Sequence, residues 1–160
     1  MILVTTGTIL IPFTRLVNLM TLYADTTRTK VIIQSGACNL SIKTNNLWIH
    51  PFFSNQQIIR YYKSAHQIVT ASGEGSILQI LQYAKTQPIL FPRLKKYNEH
   101  VDNQQSLVAT AIKKRNLGKV AYNKTQLFLL LGQKQPKNQQ QHKLASTNTK
   151  LIQLLEQETS

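Results

Sequence analysis

The sequence predicts an α/β domain, with a mainly parallel sheet covered on both faces by helices. Three observations predict it. Short runs such as 2–6, 31–34 and 67–71 are apolar almost throughout, as strands buried on both faces are. Between them lie segments with apolar residues at helical spacing. Several of the strands close in small-residue turns, and strand-helix alternation of this kind builds parallel sheets. A chain of 160 residues holds one such domain and a short appendage.

Ile2 to Thr6 is a short β-branched run ended by Gly7, the first strand. Pro12 to Tyr23 carries Phe13, Leu16, Val17, Met20 and Tyr23 on one side, a helical pattern. Val31 to Gln34 is the second strand, closed by Ser35-Gly36. A polar stretch leads to the third, Leu47 to His50, which Pro51 ends. Ser54 is placed to cap a helix carrying Ile58, Ile59 and Tyr62. Gln67 to Ala71 is the fourth strand, and Ile77, Leu78, Ile80 and Leu81 mark a helix running to Lys85.

Pro88 to Phe91 is the fifth strand. Val101 to Asn116 reads as a helix with Leu107, Val108, Ala111 and Ile112 on its apolar face and Gly118 just beyond its end. Lys119 to Tyr122 is a sixth strand and Lys124 to Leu131 a last helix. Right-handed crossovers between these strands give a Rossmann-like layout. The predicted domain is 1–132. Gln133 to Asn148 is nearly all Gln, Lys, Asn and small polar residues, too polar to bury enough surface to stay ordered. Leu151, Ile152, Leu154 and Leu155 then predict a short amphipathic helix, so 133–160 reads as a linker and tail.

Composition narrows the functional classes. The longest apolar runs fall far short of the roughly 18–20 residues that cross a bilayer, and the chain opens with a strand rather than a signal peptide. The expectation is a cytoplasmic protein. One cysteine, Cys38, excludes an internal disulfide and any cysteine-rich zinc site. Nineteen basic residues against six acidic ones, a formal +13, favour anionic partners, or simply keep the surface soluble. Nucleic-acid binding would need a basic stripe interleaved with aromatics, and Tyr61, Tyr62 and Tyr97 form no such motif, so no specific nucleic-acid partner is expected. His50, His66 and His142 lack ligand-like spacing, and Trp48 reads as core.

The most informative local feature is Ser72-Gly73-Glu74-Gly75-Ser76, between a strand and a helix. Glycines there let backbone N–H groups approach a ligand, and the helix start favours an anion. A tight turn using glycines for geometry alone fits the same residues. The run is neither G-x-G-x-x-G nor a phosphate loop ending in Gly-Lys-Ser/Thr. Gly7-Thr8 and Gln34-Ser35-Gly36 are further turns at strand ends, and three such turns converge on one edge of a parallel sheet. Half of the six carboxylates, Glu74, Glu99 and Asp102, lie near these loops. Carboxylates and amides read sugar hydroxyls, while Arg93, Lys95 and Lys96 suit phosphate or acidic lipid. A solvated, capped helix start is the competing reading of 93–105.

At these residues the chain resembles the small bacterial polysaccharide-synthesis glycosyltransferases related to the MurG-family C-terminal domain (family 28) and to the eukaryotic Alg13 subunit. The resemblance runs through Val4-Thr5-Thr6-Gly7-Thr8, Pro12-Phe13, Arg15-Leu16, Gln34-Ser35-Gly36, the run from Val69 to Ser76, and Pro88 to Arg93. Its most specific part is Lys95 to Gln105, and it covers about residues 1 to 130. It implies the C-terminal half of a GT-B enzyme, a UDP-sugar donor, a lipid-linked acceptor, inversion at the anomeric carbon, and neither cofactor nor bound metal.

In that picture Gly7, Thr8, Ser72, Gly73, Gly75 and Ser76 hold the diphosphate. Gln34, Ser35 and Gln79 hold the nucleoside, and Glu99, His100, Asp102, Asn103 and Gln105 the donor sugar. The acceptor half would come from a membrane-anchored Alg14/PssD-like subunit, which would bring the chain to the inner face of the membrane. No catalytic base stands out. The chain departs from the family pattern at Ala71, Glu74, Gln79 and Gln104. These departures keep open an alternative, a catalytically degenerate regulatory or structural subunit of such a transferase.

Overall fold

The computed structural model describes residues 1–140 and Gln153. Its strands are β1 (Ile2–Thr5), β2 (Val31–Gln34), β3 (Ile42–Lys43), β4 (Leu47–His50), β5 (Gln67–Thr70), β6 (Ile89–Leu90) and β7 (Lys119–Val120). The helices are α1 (Thr14–Thr27), α2 (Asn55–Ser64), α3 (Glu74–Tyr83), α4 (Gln104–Lys114) and α5 (Lys124–Leu131). All strands join one sheet in the order β3-β4-β2-β1-β5-β6-β7. Every pairing is parallel except β3 with β4, a short hairpin inside the polar stretch where no strand was expected.

Without β3, the order is that of two βαβαβ halves wound outward from β1. The chain leaves β1 toward β2 on one side and later returns through β5 on the other. That reversal opens a crevice beyond the carboxyl ends of β1 and β5.

Alternation along the strands divides the core. Ile2 and Val4 point to a layer with Phe13, Leu16 and Met20 of the α1 region and Leu127 and Leu131 of α5. Leu3, Ile32 and Ile68 point to the other face, against Ile58 and Tyr62 of α2 and Ile80 of α3. Ile77, Leu90, Val108 and Ile112 continue that second layer under α3 and α4. Ser54 caps α2 as its sequence predicts: its hydroxyl accepts from Gln57 N–H at 3.3 Å, and the Gln57 side chain accepts from Ser54 N–H at 3.0 Å.

The predicted helix over 12–23 begins at Thr14 and runs on to Thr27, while the one over 101–116 begins only at Gln104. The polar stretch after Gly132 departs from expectation more sharply, because its first residues pack against the domain. Gln87 N–H donates to Pro136 O at 2.9 Å, and the Asn138 amide donates to Leu81 O and Ala84 O at 2.8 and 2.9 Å, closing the end of α3. Gln135 and Asn138 are buried by supplying donors to helix-end carbonyls, not by burying apolar surface. The tail helix expected at Leu151, Ile152, Leu154 and Leu155 lies outside the described residues. Among the described residues, no helix is long and apolar enough to cross a membrane.

Candidate functional site

Four loops meet at the carboxyl ends of β1, β2, β5 and β6. After β1 the chain turns at Gly7, whose φ of +79° favours glycine. Gly36, after β2, also has positive φ, and a Cβ there would lie 2.7 Å from Thr6 Oγ1 and 2.9 Å from Gly7 O. Only glycine lets these two turns touch.

After β5, Ser72 and Gly73 lead straight into α3. Gly73 is the N-cap residue, and no side chain caps the helix. A Cβ built on Gly73 or Gly75 would meet nothing within 4 Å, so the approach to these backbone N–H groups is open. Ser72 is fully buried, yet its Oγ has no hydrogen-bond partner. A buried hydroxyl beside an uncapped helix start is a place for an acceptor to bind. Ser72, Gly73 and Glu74 form one wall of a cleft of about 240 Å³, and Ile9, His100, Gln104, Gln105 and Val108 complete it.

The loop from Pro92 to Asn103 is held by two arginines. Arg93 is wholly buried. Its Nη1 donates to Ile11 O at 2.7 Å and Glu99 O at 3.1 Å, its Nη2 to Thr6 O at 2.9 Å, and its guanidinium lies 4.6 Å from the Phe13 ring centre. Burial lowers its pKa from the ordinary arginine value, opposed by Cys38 and Glu99. Arg93 is therefore not available to phosphate or lipid, because the carbonyls of the β1 loop and of Glu99 occupy it.

Arg15 grips Glu99 with two bonds of 2.7 Å and also reaches Pro92 O and Tyr122 O, each at 3.1 Å. Its guanidinium sits 4.4 Å from the Phe91 ring centre and 5.0 Å from that of Tyr97. Glu99 also accepts from Leu94 N–H at 3.0 Å. Both of its carboxylate oxygens are thus engaged away from the cleft.

Of the other residues read from sequence, His100 and Gln105 reach the cleft with Ser72 and Gly73. The Gln105 carbonyl oxygen accepts from Arg93 N–H at 3.0 Å. Asp102 accepts from Gln104 N–H at 2.9 Å and pairs with His100 Nδ1 at 2.8 Å. Its pKa is lowered, chiefly by the Gln104 N–H; burial opposes this, and His100 and Lys95 add smaller lowering effects. Asn103 accepts from Lys95 N–H at 3.3 Å.

Gly7 and Thr8 lie on the β1 loop, while Gly75 and Ser76 lie in the first turn of α3. Gln34 is buried and accepts from Phe53 N–H at 3.1 Å, and Ser35 Oγ bonds the backbone of Leu40. Gln79 reaches Asn55 at 3.2 Å, two residues beyond the Phe53 that Gln34 holds, so both amides bind the segment that leads into α2. Sequence reading missed Ile9 and Val108 as cleft walls and Arg15 as the anchor of Glu99. Nothing local marks Arg15, whose partner is 84 residues away.

The comparisons with known proteins bear on this arrangement. The sequence model of the glycosyltransferase family 28 C-terminal domain matches residues 1–157. The chain belongs to that family. The fold of this family 28 domain is also that of a solved structure described as the glycotransferase of kitacinnamycin, at TM-score 0.57 and 14% identity. The match covers 99% of this chain and 38% of that one, so the family 28 domain spans well under half of its structural neighbour. No curated protein sequence matches the chain. A larger cavity of about 510 Å³, between His66, Lys85 and Lys137, lies at the opposite edge of the sheet. Open parallel sheets bind ligands at the carboxyl edge, which favours the smaller cleft as the site of the family 28 domain.

Proposed function

We propose that this family 28 domain is the donor-binding half of a UDP-sugar-dependent hexosyltransferase. The observation that carries the reading is the uncapped start of α3 beside the unpartnered Ser72 hydroxyl, at the switch point of the sheet. Backbone donors and the positive end of the helix macrodipole would hold the donor's diphosphate there and stabilise it as it leaves. The acceptor hydroxyl, in a lipid-linked acceptor, attacks the anomeric carbon from the side opposite the diphosphate, which inverts that centre.

The base that takes the hydroxyl proton would come from the acceptor half. A membrane-anchored Alg14/PssD-like subunit would supply that half and hold the domain at the inner face of the membrane. Leu10 and Val101, 88% and 73% exposed on loops at the site edge, offer apolar surface to such a partner.

The test is calorimetric titration of the domain, alone and with a co-expressed partner, with UDP. Gly73→Asp introduces a carboxylate without a clash and at an unstrained φ of −77°, so it weakens UDP binding about tenfold or more while leaving the fold intact. Absence of UDP binding in both conditions overturns the donor-site reading. A second reading, a catalytically degenerate subunit, is favoured by Glu74, a carboxylate in the wall of the same cleft. UDP binding without sugar transfer or donor hydrolysis in the assembled complex would select it.

A further inference from the structure

The cleft contains one side chain whose orientation is set from behind and whose free end has no partner. His100 Nδ1 lies 2.8 Å from Asp102 Oδ1, and the same oxygen accepts from Gln104 N–H at 2.9 Å, at the first residue of α4. The chain of contacts therefore runs from the α4 start through Asp102 to the imidazole. Both Asp102 contacts, its carboxylate at 2.8 Å and its backbone N–H at 3.3 Å, fall on Nδ1, which leaves the second ring nitrogen to act. Among the described residues, Nε2 has no hydrogen-bond partner. The ring is largely covered, with 14% of the side chain exposed, and it shares the cleft with Ser72, Gly73 and Glu74.

A histidine here could act as a base or as a phosphate ligand, and position decides between them. In an in-line displacement the attacking hydroxyl stands opposite the leaving group. A group sharing a cleft of about 240 Å³ with the α3 start is on the leaving-group side. Resting on the donor-site reading above, we propose that His100, oriented by Asp102, grips the donor's phosphate through Nε2–H opposite Ser72 and the α3 start. His100 is then the side-chain arm of a clamp whose other arm is backbone. Asp102 is a positioning residue that holds the ring's orientation.

Few charged groups surround His100. Asp102 and, through Asp102, Lys95 belong to its own loop. Glu74 shares the cleft with it from α3, while α4 and the β1 loop present the uncharged Gln104, Gln105, Val108 and Ile9. Arg93 contacts the backbone carbonyl of the preceding residue, and Glu99 is taken by Arg15.

The experiment is calorimetric titration of the wild-type chain, His100→Gln and Asp102→Asn with UDP and with uridine. Loss of the phosphate contact in His100→Gln weakens UDP binding about tenfold or more and leaves uridine binding unchanged. Asp102→Asn weakens UDP binding less than His100→Gln and again spares uridine, a phosphate-specific loss that a merely structural residue would not give.

Equal UDP affinity of wild type and His100→Gln overturns the proposal, as does an equal loss for UDP and uridine. Failure of the wild-type chain to bind UDP or uridine would instead overturn the donor-site reading beneath it. Matching circular dichroism melts of the three proteins exclude loss of fold as the cause.

Discussion

Replacement of Arg93 by methionine removes the buried guanidinium and keeps much of its apolar length. Three carbonyl oxygens, of Ile11, Thr6 and Glu99, then lose their donors. A buried polar group without a partner costs about 1–3 kcal/mol. Relief of the arginine's own desolvation offsets part of that sum. The net expectation is a loss of about 3–5 kcal/mol, a large share of the roughly 5–15 kcal/mol that holds a domain together.

For a chain of this size the corresponding fall in midpoint is on the order of 10 °C. Urea denaturation followed by circular dichroism at 222 nm measures it, with the slope checked for a two-state transition. Arg93→Lys does not restore the loss, since one ammonium cannot reproduce the planar fork that serves three carbonyls. A cost below about 1 kcal/mol for Arg93→Met would refute the reasoning, because it would mean that water or neighbouring donors reach those carbonyls.

Two further outcomes follow from the same contacts. Tyr62 is buried, and burial pushes its hydroxyl up to about 12 from 10.0, against a smaller lowering by the Thr5 side chain. Its contribution is complete below pH 10.0 and is lost as pH rises toward 12, so stability falls by about 2–3 kcal/mol across that window. Denaturation curves of Tyr62→Phe should lack most of this alkaline slope, and an unchanged slope would exclude Tyr62 as its source. Gly36→Ala forces a side chain into positive φ and against Gly7 O, costing about 2–4 kcal/mol by thermal melting. A wild-type melting temperature would show that the two turns can separate freely.

Much of the architecture was legible locally. Fully apolar β-branched runs can be buried only in a sheet covered on both faces, which specified parallel strands with helical crossovers. The Ser54 cap was equally plain, because both of its bonds close within three residues. The Ser72 to Ser76 turn was marked by its glycines between a strand and a helix. The first residues after Gly132 were misread as disordered, because composition counts the apolar surface a segment can bury. It does not count the carbonyls left open at helix ends, and Asn138 is held by those of α3.

The environment of each site residue was decided elsewhere. Arg93 and Glu99 looked like ligands for phosphate and sugar because free charge in a loop carries that meaning locally. Tertiary contacts turned them inward: Arg93 meets the β1 loop across 87 residues, and Glu99 meets Arg15 across 84. His100 and Asp102 differ because their contact closes within the loop while its outer end faces the cleft. By itself the sequence determined the helices, every strand but β3, the parallel sense of those strands and the turn offered to an anion, since periodicity and turn chemistry act over a few residues. Only the tertiary structure decided which charges remain available, because burial and pairing depend on neighbours that the chain brings together from far along its length.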